Sequence, residues 1–126
     1  MIVLDLEVYD VLKSKLGSKV TVLTGFPMEY HNLPVVSYTC TNNNTAVFTD
    51  NEEAISFHSY KIDIFYDDNT DWELLVSNVN YALTEIGFTR TMYQKLNEEG
   101  GNHIVMYYSV YIDEKSNKYY AYKNAY

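Results

Sequence analysis

The chain has 126 residues, 47% of them hydrophobic and 21% charged, with a formal charge of −8. That length and composition predict a single folded domain over 1–126, with a core that needs no covalent staple. The charge opposes non-specific phosphate binding, which draws its affinity from cations, and the single cysteine, Cys40, excludes an internal disulfide or a thiolate zinc site.

The first residues, Met1-Ile2-Val3-Leu4-Asp5-Leu6-Glu7, carry no basic region, long apolar core or cleavage site, so export by a signal peptide is not expected. No apolar run reaches the ~18 residues that a bilayer span requires. Leu4, Val8, Val11, Leu12 and Leu16 recur three and four apart and predict a helix from Leu4 to Leu16. Its early acids and late lysines suit the helix dipole, and Gly17 supplies a stop. Val20–Thr24 reads as a short strand or an extended connection. Pro27 and Pro34 then bracket an irregular segment.

Pro34–Thr41 is rich in β-formers, and Asn42-Asn43-Asn44-Thr45 reads as the turn that sends it back. Ala46–Thr49 extends that hairpin to an acidic turn at Asp50–Glu53. The strongest strand is Ile55–Tyr66. From Tyr60 onward, Tyr60, Ile62, Ile64 and Tyr66 share one face, while Lys61, Asp63 and Phe65 share the other. Such alternation predicts a sheet covered by helices on one side.

Thr70 and Glu73 fit a capping box and open a second helix, with Trp72, Val76, Val79, Leu83 and Ile86 as its stripe. Gly87 ends it, and Phe88–Tyr93 begins another strand. Glu98–Asn102 reads as a turn before the strand Ile104–Ile112. Asp113–Asn117 turns the chain into a last strand, Lys118–Tyr122. The order α-β-β-α-β-β-β predicts an α+β domain: a mainly antiparallel sheet with two principal helices packed against it.

The chemistry-bearing residues form no motif. His31, His58 and His103 lie in separate segments, without the close spacing that presents metal ligands from one helix. Ser56 and Ser59 flank His58, but strand alternation does not assemble a nucleophile–base pair from them. Asp67–Asp71 lacks the glycine and terminal glutamate of a calcium loop and reads as the turn before the helix cap. Gly100-Gly101 has no phosphate-loop context. No cofactor, metal or catalytic set is therefore expected, and an enzyme reading would require distant groups such as His31, Asp63 and His103 to converge.

Tyrosine is the outlying residue type, with 14 copies concentrated in the predicted strands. Tyr107-Tyr108 and Tyr119-Tyr120 each place a ring on either face of a sheet. An amphipathic ring suits a protein interface, whereas a sheet that binds RNA through aromatics also needs a basic surround. The candidate interface is the outward set Tyr107, Tyr111 and Tyr119, with Lys61, Asp63 and Phe65 on the neighbouring strand. Phe65 is its sharpest member because it interrupts a polar face.

The segment order resembles the small tail-terminator and tail-completion (head–tail joining) proteins of tailed bacteriophages and their prophage remnants. The resemblance runs through Leu4–Leu16, Leu33–Tyr38, Tyr60–Phe65, the helix end Leu83–Arg90 and the tyrosine-rich closing hairpin, with Tyr60-x-Ile62-Asp63-Ile64 and Ile86-Gly87-Phe88-x-Arg90 as its local features. It implies a non-enzymatic structural protein: a ring, usually a homo-hexamer, that caps the tail tube, joins it to the head connector and lets DNA pass without specific binding. Assembly in the bacterial host cytoplasm and residence at the virion neck or tail end follow from the same resemblance, with no membrane partner. The asparagine-rich hairpin and the Asp50–Glu53 loop are then candidates to face the tube or connector. The alternatives are a single-stranded nucleic-acid-binding module or a small accessory enzyme.

Overall fold

A computed structural model describes residues 1–25, 33–98, 101–117 and 119–121. The expectations that fall on Pro27, His31, Glu99-Gly100, Lys118 and Tyr122 lie outside these residues. Among the described residues the elements run α1 (Asp5–Leu16), β1 (Thr21–Thr24), β2 (Val35–Thr49), β3 (Glu52–Tyr66), α2 (Trp72–Glu85), β4 (Thr89–Glu98), β5 (Gly101–Asp113) and β6 (Tyr119–Ala121). The architecture is α+β, with two helices packed on a mostly antiparallel sheet.

The sheet order is β1-β2-β3-β5-β4, and β6 also pairs with β5. β4 lies along Gly101–Ser109 and β6 along Val110–Ile112, so the two cover one flank of β5 end to end. β3 covers the other flank from Asn102 to Asp113. β1 is the exception to the antiparallel rule. It runs parallel to β2 over Val35–Tyr38 only.

The helices cover the face predicted for them. Leu4, Val8 and Leu12 from the α1 side, and Leu75, Val79, Ala82 and Leu83 of α2, form one core cluster with Tyr60, Ile62, Ile64, Ile104, Met106 and Tyr108. Burying each large side chain of this set stabilises the fold by about 1.5–3 kcal/mol. The Tyr60 hydroxyl donates to Asp5, tying α1 to β3. The Tyr108 hydroxyl donates to Asn80 Oδ1 at 2.8 Å, doing the same for α2 and β5. Burial raises both phenols well above the usual tyrosine range.

Three local expectations are corrected. Asn42–Thr45 is not a turn: β2 continues as one 15-residue strand, with register shifts between Cys40 and Asn42 and again at Thr45–Phe48. These bulges add residues without reversing the chain, and the Asn43 side chain donates to the Ile2 carbonyl at 2.8 Å. The reversal falls at Asp50-Asn51, whose φ values of 53° and 63° suit a tight two-residue hairpin. Second, Asp71 rather than Thr70 caps α2, accepting from the Leu74 amide at 3.2 Å. Thr70 instead donates to Asp67 Oδ1 at 2.8 Å, inside the preceding turn. Third, the sheet face away from the helices is not an open polar surface, since Val35, Ser37, Asp63, Phe65 and Val105 are also buried there.

Gly87 ends α2 as expected. Its φ of 108° is strained for any side chain, and a Cβ would meet Tyr119 Cβ at 3.0 Å.

Candidate interaction surface

The six candidate interface residues do not form one exposed patch. Strand pairing sets Lys61 opposite Tyr107, with Asp63, Phe65 and Tyr111 on the same face. Tyr119 pairs with Ile112 and turns to the helix side, where its ring lies 6.5 Å from that of Phe88. Lys61 and Tyr107 are half-buried. Asp63, Phe65 and Tyr111 are only 1%, 2% and 8% exposed, which corrects their expected exposure. The Tyr111 ring packs 5.0 Å from Phe57.

The buried Phe65 ring stacks on His103, with centroids 4.3 Å apart and planes 16° from parallel. His103 Nε2 in turn lies 2.7 Å from Asp63 Oδ1, and Lys61 Nζ lies 3.7 Å from the same oxygen. Two members of the sequence-derived convergence test therefore meet. The third, His31, lies outside the described residues. Phe65 faces His103 across the β3–β5 ladder, and that register is what delivers the pair. Among the described residues no three of His, Cys, Asp and Glu gather as metal ligands would.

A second polar cluster occupies the other end of the sheet and corrects the expectation that strand alternation keeps Ser56 from His58: residues two apart on a strand share a face, and Glu114 joins them there. The Met1 ammonium lies 3.1 Å from Glu114 and 3.6 Å from Glu53. The Ser56 hydroxyl donates to Glu114 at 3.1 Å and lies 2.7 Å from His58 Nε2. Because Ser56 gives its one proton to Glu114, Nε2 must be the donor toward Ser56. His58 Nδ1 is then a bare buried acceptor, and it meets no partner among the described residues. Burial pushes the His58 imidazole below its ordinary range, against the opposing pull of Glu114 and Glu53. Hydrogen bonding to Thr45 and Glu114 lowers Glu53.

A groove of about 810 Å³ separates the two helices near β6, lined by Glu7, Asp10, Val11, Ser14, Glu85, Ile86 and Tyr119. Burial, and then the charge of Glu7, raise the Tyr119 hydroxyl. Of the lysines on α1, Lys15 stands 4.0 Å over the Tyr81 ring and Lys13 donates to the Val20 carbonyl. Among the described residues the charged groups lining this groove beside Tyr119 are the carboxylates Glu7, Asp10 and Glu85, whereas a nucleic-acid surface would need a basic patch beside Tyr107 or Tyr119.

Exposed apolar side chains lie on the helices, at Leu6, Leu74 and Tyr81, and at the outer edges of the sheet. Beyond Tyr38, β2 has no strand on its outer side among the described residues, and Val47 and Phe48 are 41% and 67% exposed. At the opposite edge, Met92 and Tyr93 of β4 are 38% and 41% exposed. Edges this long present unpaired amides and carbonyls to solvent. Unbroken helical periodicity carries no trace of them, because an edge is a property of strand order.

No protein-family model matches the chain, and neither does any curated protein sequence. No described helix is long and apolar enough to cross a membrane.

Proposed function

We propose that this chain is a structural assembly protein of a tailed bacteriophage or prophage, forming a ring at the end of the tail tube. The observation that carries the reading is the pair of sheet edges with no outer strand among the described residues, each with adjacent large apolar side chains in the open. Closed symmetry removes such edges by covering them with a neighbouring copy. The segment order that resembles tail-terminator and tail-completion proteins supplies the biological setting: a homo-hexamer meeting the tube protein on one side and the head connector on the other. The net charge of −8 suits a passage that does not cling to DNA. Native mass spectrometry at low micromolar concentration tests the reading, with and without tail-tube protein. A closed oligomer is expected; a strictly monomeric species under both conditions overturns it.

The Asp63–His103 pair favours the second reading, a small accessory enzyme, because a carboxylate bonded to imidazole Nε2 orients a base. Its setting weighs against that role. Both groups are nearly inaccessible, Phe65 lies on the imidazole, and the adjacent Ser37 hydroxyl donates to the Gly25 carbonyl. A buried pair that orders the sheet face accounts for the same contacts.

A further inference from the structure

The two open edges differ in a way that selects a partner. Thr39–Thr49 of β2 contains neither a charged residue nor a proline, in a chain that is 21% charged. Lysine, proline and inward charge are the usual guards of a free edge. Here the bulges at Cys40–Asn42 and Thr45–Phe48 stand in their place, and they leave both Val47 and Phe48 exposed. A neutral edge also lets a second acidic chain approach, since contact through most other surfaces would bring carboxylates together. The opposite edge, β4, is ten residues long and carries Arg90 and Lys95 beside its exposed Met92 and Tyr93.

Strand direction makes the two edges compatible. β2 is antiparallel to β3, β3 to β5, and β5 to β4, so β2 and β4 run in opposite directions. A neighbour rotated about an axis along the strands would bring β4 antiparallel to β2, which is the better ladder. The edges are also staggered. Thr45, central to the free part of β2, sits opposite Ser56, whereas Tyr93 of β4 sits level with Met106 and hence with Ile62. That offset is six residues of β3, or about 20 Å along the strands. A closed ring absorbs such a step by tilting its strands, as barrels do.

We propose that the outer edge of β2, from Thr39 to Thr49, pairs antiparallel with the outer edge of β4 in a second copy of this chain. The contact packs Val47 and Phe48 of one copy against Met92 and Tyr93 of the next. This rests on the ring reading and names the surface that builds it. The contact is head-to-tail, so each copy uses both edges and the chain of contacts closes.

Thiol cross-linking tests the pairing, in a Cys40→Ser background that removes the native thiol. Val47→Cys alone, Tyr93→Cys alone and the double variant are treated with a short bismaleimide and resolved under denaturing conditions. A ladder of multimers in the double variant only, with both single variants remaining monomeric, is the expected result. Dimers from Val47→Cys alone mean that β2 pairs with itself, and they overturn the proposal. Native mass spectrometry on the same proteins separates the two levels. An oligomer without the 47–93 ladder overturns the edge pairing and leaves the ring reading standing, whereas a monomeric unmodified chain overturns both. Phe48→Lys adds a guard charge at an exposed site, so it should abolish the oligomer while circular dichroism stays unchanged. An oligomer that persists in Phe48→Lys also counts against the pairing.

Discussion

Phe65 shows how little a residue's neighbours in sequence say about its surroundings. Next to Lys61 and Asp63 on a polar-looking face it reads as an interface residue, yet it is 2% exposed and stacked on His103. Phe65→Ala should therefore act on stability, costing about 3–5 kcal/mol as buried phenylalanine truncations do. Chemical denaturation measures this directly, and a loss below about 1 kcal/mol would place the ring outside the core. His58 supplies a second residue-scale expectation. Its imidazole is held neutral by burial, so the unfolded chain takes up a proton at a higher pH than the folded one. Stability is then fully present above the ordinary histidine range, near pH 6.5, and is lost as pH falls from there toward the lowered folded value. Denaturation midpoints from pH 7.5 to 5 should show this slope, and His58→Gln should flatten it.

At the scale of elements, capping separates two nearly adjacent side chains. Asp71 satisfies the Leu74 amide, while Thr70 serves the turn at Asp67. Asp71→Ala should cost about 1 kcal/mol, the usual loss for an N-cap. A thermal melt comparing it with Thr70→Ala checks the assignment, because a capping box at Thr70 would reverse the order of the two losses. The arm formed by the far half of the β2–β3 hairpin, from Cys40 to Tyr60, is where sequence and structure part. Asn42-Asn43-Asn44 has turn composition, but turn composition is only a local preference. Pairing with Phe57–Ser59 on β3 and the Asn43 bond to Ile2 override it. β1 is ambiguous in the sequence for a related reason: four residues carry too little pattern to announce a parallel partner.

For the whole molecule, what is legible in the chain is whatever repeats. The stripe of α1, the stripe of α2 and the even-numbered face of β3 and β5 each follow a helical or strand period, and all of them reach the core. Strand order and register repeat nothing. The meeting of Asp63 with His103, the cluster of Ser56, His58 and Glu114, and the two free edges depend on which strands lie side by side. Alternation places Lys61, Asp63, Phe65, Tyr107 and Tyr111 on one face, as the structure does, but says nothing of how that face is covered. Tyr119 falls on the opposite side because its register partner is Ile112, whose side chain belongs to the core under the helices.

The position of β5 has one more consequence. With β3 on one flank and β4 and β6 sharing the other, its backbone hydrogen bonds are enclosed along nearly the whole strand. Opening those on the β3 flank means separating the sheet through its middle, against the helices packed over Ile104, Met106 and Tyr108. The tip of the β2–β3 arm is held by a single ladder on β2's side, and its outer groups already face water. Resistance to local unfolding is therefore graded across the molecule, from a rigid keel at β5 to a compliant arm. A neighbour can capture and reshape that arm at small cost, without disturbing the strand on which the rest of the fold depends.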